Sequence, residues 1–76
     1  MFVFLIRKVK GRLRFYNLSL QRNLFNEYLV TKTYGAIRNK KASRELSEYF
    51  NEERNAKNHF NEILNLKLKK GYEIMT

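Results

Sequence analysis

Apolar and polar residues alternate with a period of two through residues 2–9, 13–21 and 27–37, the pattern of strands with one buried face. Lys10-Gly11-Arg12 separates the first two runs and puts a glycine where a tight hairpin needs positive φ. Residues 22–26 hold the asparagines of a second turn, and Arg38-Asn39-Lys40-Lys41 forms a third link into a weaker strand over residues 42–49. Connections this short make neighbouring strands antiparallel.

Past residue 50 the period changes. Asn51 is placed to cap a helix, Glu52 and Glu53 set negative charge against its first amides, and Lys67, Lys69 and Lys70 set positive charge by its last carbonyls. Gly71 then stops it in a left-handed cap. Ala56, Phe60, Ile63, Leu64 and the stem of Lys67 fall on one stripe, and Tyr16, Leu18 and Leu20 on the second strand offer that stripe a seat. The expected fold is α+β: a small antiparallel sheet of about four strands with one C-terminal helix on one face, residues 1–76 forming a single domain.

Seventy-six residues without a cysteine allow one modest core and neither a disulfide framework nor a thiolate metal site, which fits a reducing, cytoplasmic setting. A formal charge of +9 attracts polyanions, because each neutralised phosphate releases condensed counterions. Nucleic acid is therefore the leading partner class, with plain solubility as the alternative role of the charge. The apolar run at residues 1–6 precedes Arg7 and Lys8, the reverse of a secretory signal, and is too short to span a bilayer; no membrane partner is expected. His59 is the sole histidine, and the glutamates are scattered. With no phosphate-cradling glycine loop either, neither catalysis nor a cofactor is expected.

The succession Arg14-Phe15-Tyr16-Asn17-Leu18-Ser19-Leu20-Gln21, then Leu24-Phe25, Tyr28-Leu29-Val30 and Tyr34-Gly35-Ala36-Ile37 is the most informative feature of the chain. Phe50, Ala56, Phe60, Lys67, Lys70, Gly71 and Tyr72 continue the pattern to the end. The whole resembles the WGR domain, a small nucleic-acid-associated module found beside the catalytic part of DNA-dependent poly(ADP-ribose) polymerases and as stand-alone bacterial proteins. Tyr28 and Tyr34 stand where the family has tryptophans, and Ala36 where it has arginine. The resemblance implies that the Tyr34 ring packs on a sugar or base at a DNA strand end and that Lys67 contacts phosphate. It implies a DNA partner in preference to RNA, in the cytoplasm or on the nucleoid, with any ADP-ribosylation chemistry residing elsewhere. The family's interdomain communication, tied to the missing arginine, is not carried over.

Lys32, Tyr34 and Ala36 share one face of the third strand, with Arg38, Lys40 and Lys41 just beyond, giving a basic patch around an aromatic. Gly35 admits close approach of a backbone or ligand, or a bulge. The competing reading makes Tyr34 a cross-strand packing residue and the lysines a solvated hairpin tip. Lys69 and Lys70 are also explained as helix-terminus charges. Arg7, Lys8, Lys10, Arg12 and Arg14 form a second basic cluster around the first hairpin, whose relation to Tyr34 the sequence leaves open. The rival function is a protein-interaction or self-association module that uses exposed Phe15 and Tyr28 without nucleic acid.

Overall fold

The computed structural model describes residues 1–38 and 43–75. Five antiparallel strands lie in the order β4-β3-β2-β1-β5: β1 (Phe2–Val9), β2 (Arg12–Arg22), β3 (Tyr28–Ala36), β4 (Arg44–Phe50) and β5 (Glu73–Ile74), with helix α1 (Glu53–Lys69) between the last two. β2, the longest strand, is central. The expected α+β architecture is present, with one more strand than the pattern gave. Two residues are too few to show a period, so β5 leaves no sequence signal; it forms because the chain leaving α1 reaches the free edge of β1, pairing Leu5 with Ile74 and Ile6 with Glu73.

Lys10 and Gly11 take φ of 52° and 80° between the paired residues Val9 and Arg12, as a two-residue hairpin turn matched to the twist of its strands requires. The β2–β3 turn is tied by one side chain. Asn23 Oδ1 accepts from the backbone amides of Phe25 and Glu27, both at 2.9 Å, and Asn23 Nδ2 donates to the Glu27 carboxylate at 3.0 Å. Leu24 and Phe25 stand fully exposed at its tip.

The start of α1 differs from expectation. Glu52, with φ −118° and ψ 135°, holds the N-cap position, and no side chain caps the helix. Its carbonyl accepts from Ala56 N at 3.2 Å, so the first helical turn closes one residue after Asn51. The C-terminus matches the expectation for Gly71, which adopts φ +100°. Gly71 N–H donates to the Leu68 carbonyl and Tyr72 N–H to that of Lys67, both at 3.1 Å, the paired bonds of a Schellman end. That turn folds Tyr72 back beside Lys67.

The helix covers one sheet face with Ala56, Phe60 and Ile63, which bury against Leu5, Tyr16, Leu18, Leu20 and Val30. Leu64, Tyr72, Tyr34, Tyr28 and Phe50 pack around this core. Tyr28 thus lies on the helix side and Phe15 on the other, so the expected pairing of these two as one exposed aromatic surface is not found. No helix among the described residues is long and apolar enough to cross a membrane. Phe60, at 1% exposure the largest fully buried side chain, holds helix and sheet together. Phe60→Ala is expected to remove about 3–5 kcal/mol of stability, measured by urea unfolding, which is most of what so small a domain possesses.

Candidate nucleic-acid interface

Strand register sorts the basic residues before any long-range force acts. Leu5, Tyr16, Tyr34 and Arg44 are successive cross-strand partners on the helix side, and the next row out is Arg7, Arg14 and Ala36. Lys32 lies on the same side, two residues from Tyr34, in a row with Leu18. Directly opposed like charges such as Arg7 and Arg14 repel each other. The first basic cluster of the sequence therefore joins the second through Arg7 and Arg14, while Lys8 points to the opposite face.

Helix α1 ends over this region. Lys67 Nζ sits 4.5 Å from the Tyr16 ring centroid and 5.8 Å from that of Tyr72, and the Arg7 guanidinium carbon lies 5.9 Å from the Tyr72 ring. Tyr34 stacks on Tyr16 with centroids 5.5 Å apart and planes 15° apart, and Tyr72 meets Tyr16 edge-on at 6.0 Å and 64°. Three tyrosines thus form an aromatic floor, and cations stand over it. Ring faces attract such cations, which fixes the ammonium's place without cancelling its charge.

The crowding is measurable in the titration of the groups. Lys67 is held below the usual lysine range, first by burial and then by Lys70, Lys32 and Arg7. The Tyr16 hydroxyl is pushed up to about 12, chiefly by burial, with Tyr34 and Tyr72 adding to it. No ion pair of Lys67 with a carboxylate is found among the described residues; Lys57 pairs with Glu53 at 3.5 Å, and His59 Nε2 lies 3.2 Å from the Glu48 carboxylate. His59, which also packs on Phe50, thus ties helix to strand.

Of the residues singled out in sequence, Lys32, Tyr34 and Lys67 come together here. Tyr34 is half-buried, so it both packs against Tyr16 and keeps exposed surface. Arg38 is exposed in the turn past β3, apart from the three cations that act on Lys67. Lys40 and Lys41 lie outside the described residues. Gly35 faces away from the helix, where an added Cβ would come within 3.2 Å of the Ser43 backbone; the close approach it admits is that of the β4 end of the chain. Sequence reading undervalued Tyr72, Lys70 and Arg7 and passed over Arg44. Tyr72 alone carried a signal, following the glycine that folds it back.

The family profile described as WGR domain matches residues 2–75, essentially the whole chain. The chain belongs to the WGR family. No curated protein and no solved structure matches it significantly. WGR membership supports a general nucleic-acid-binding role; Tyr34 and Lys67, which the sequence resemblance singles out, fall in the cationic cluster. The Tyr28 position of the WGR pattern instead packs against the core, and Ala36 leaves its place in the Arg7–Arg14 row without a guanidinium.

Since Tyr16 keeps its proton until about pH 12 when folded but releases it near pH 10.0 when unfolded, its contribution to stability is complete below pH 10 and lost as pH rises towards 12. Thermal unfolding followed by circular dichroism is expected to show Tm falling across that window, and Tyr16→Phe to flatten the fall.

Proposed function

We propose that this WGR domain is a non-catalytic DNA-binding module that holds a duplex, preferentially at an end or break, through phosphate contacts and aromatic stacking. The observation that carries the reading is the convergence of Arg7, Lys32, Lys67 and Lys70 on one tyrosine-floored site in which Lys67 has no carboxylate partner among the described residues. Like charges so close destabilise one another until a polyanion lies among them. Lys67 is the central phosphate ligand: its stem packs on the sheet, so its ammonium loses little freedom on meeting an anion. Tyr34 supplies a surface for a terminal sugar or base, and an aromatic ring can do this for any base without reading its edge. Arg44, at the end of the Tyr16–Tyr34 row, and Arg14, in the adjoining row, extend the phosphate track. Preference for DNA over RNA and a cytoplasmic, nucleoid-associated location belong to the same proposal.

Fluorescence anisotropy with a short blunt duplex at several salt concentrations provides the test. Affinity is expected to fall with a log–log slope near −3 to −4 if the four cations each neutralise a phosphate, and Lys67→Met to lower that slope by about 0.9. A flat salt response, or Lys67→Met behaving like Lys57→Met, would reject the assignment. Tyr34→Ala is expected to weaken binding by about 1 kcal/mol if the ring stacks, with an equal affinity in a folded variant showing that it does not. Nitrogen-15 NMR of lysine side chains offers a separate check: Lys67 titrates low in the free protein and is expected to move up on saturation with duplex, because the phosphate charge favours its protonated form.

A further inference from the structure

Among the described residues, nothing covers the sheet face turned away from α1, and that face is almost free of charge. Strand alternation places Phe2, Phe4, Ile6, Phe15, Asn17 and Tyr49 on it, and of all the strand residues there only Lys8, Glu45 and Glu73 are charged. The strand residues of the opposite face include Arg7, Arg12, Arg14, Arg22, Lys32 and Arg44 against the single acid Glu48. A chain of net charge +9 has thus cleared its cations from one broad surface. Near the middle of that surface Phe4 and Phe15 lie with ring centroids 6.4 Å apart, beside a groove of about 410 Å³ that reaches Ile37 and Ser43. Ser19, Gln21, Thr31, Thr33 and Ser47 border it with neutral polar groups, and Glu45 adds one carboxylate. An apolar centre with a polar margin is the anatomy of a protein–protein contact.

We propose that this helix-free face pairs with the same face of a second copy of the chain. Charge decides which face two copies can use: bodies of +9 repel through every surface that carries the cations, whereas this face, with one lysine and two glutamates, opposes no positive rows. Its size suffices. Four long strands at a spacing of about 4.8 Å, each some eight residues of about 3.3 Å, present about 500 Å², so a pair buries about 1,000 Å², the least that a specific association requires. Face-to-face sheet packing at about 10 Å, related by a two-fold axis, gives a closed dimer with a helix on each outer side. Asn17 marks the centre. It is the middle residue of the central strand β2, and its Oδ1 is buried without a hydrogen-bond partner among the described residues. Turning the carboxamide about χ2 brings the oxygen to the surface, where the same group of a second copy, near the axis, can donate to it. A central amide that answers itself fixes the register of a symmetric pair.

Self-association stands apart from the proposed DNA binding. Where both hold, the two basic sites face outward on opposite sides and one dimer bridges two duplexes. Sedimentation equilibrium of the full chain without nucleic acid, at roughly 1–500 µM, tests the pairing directly. A monomer–dimer equilibrium is expected, abolished by Phe15→Glu and preserved in Leu66→Glu on the outer surface of α1. Thr31→Lys, which leaves the phenylalanine packing intact and sets a positive charge on the face, is expected to give a folded monomer that still binds one short duplex with unchanged affinity. A monomer at every concentration, or a dimer indifferent to Thr31→Lys, overturns the proposal, and neither result touches the DNA titration.

Discussion

Phe60 and Leu18 meet where one helix crosses one sheet, and a chain of this length has no second place to bury apolar surface. Every other feature follows from how much of the sheet that single helix reaches. It passes over Leu20, Leu18 and Tyr16 and ends there. Beyond its last turn the outer rows of strand residues lie open on the same side, and no described element covers the reverse side. The interior is consequently a short apolar line, flanked by two surfaces with different chemistry: one basic and aromatic, one neutral and apolar.

The basic surface is a cost that the free protein carries. Burial and neighbouring cations both oppose the charge on Lys67, and Arg7 faces Arg14 across two strands. A side chain chosen only for stability would not be an ammonium at that place, since methionine or leucine would continue the helix stripe through Ala56, Phe60 and Ile63 without the repulsion. Tyr16 and Tyr72 hold Lys67 and Arg7 in position through their ring faces, and Tyr34 backs Tyr16 by stacking on it, so the site is organised before any ligand arrives. Organisation of this kind reduces the entropy lost on binding, and it ties ligand affinity to the same helix end that closes the core.

Local chemistry was legible in the sequence to the extent that it was local. Gly11 gave the hairpin because a residue that tolerates positive φ marks a tight turn, and Gly71 gave the helix stop for a related reason; the positive φ of Lys10 carried no such signal. Lys67 stood out because a cation at the angular position of an apolar stripe has little other explanation. Asn51 misled because it and Glu52 are both polar residues ahead of the helix, and only the closing Ala56–Glu52 bond distinguishes them. The convergence of Arg7, Lys32 and Lys70 on Lys67 joins two strands and a helix end, and nothing at short range encodes it. It appears only once register sets Tyr16 between Leu5 and Tyr34. The division of charge between the two sheet faces is likewise a property of register, invisible as long as the arginines are read as clusters along the chain.

Tyr72 follows the left-handed glycine and returns to the edge of Tyr16, so that three of the chain's five tyrosines are gathered at one spot. The chain has no tryptophan. Its ultraviolet emission and its near-ultraviolet dichroism accordingly originate to a large degree from the cluster itself, and the molecule carries an intrinsic optical probe at the place where a guest would settle. Quenching or a change in chirality there can be followed without attaching a dye to the protein.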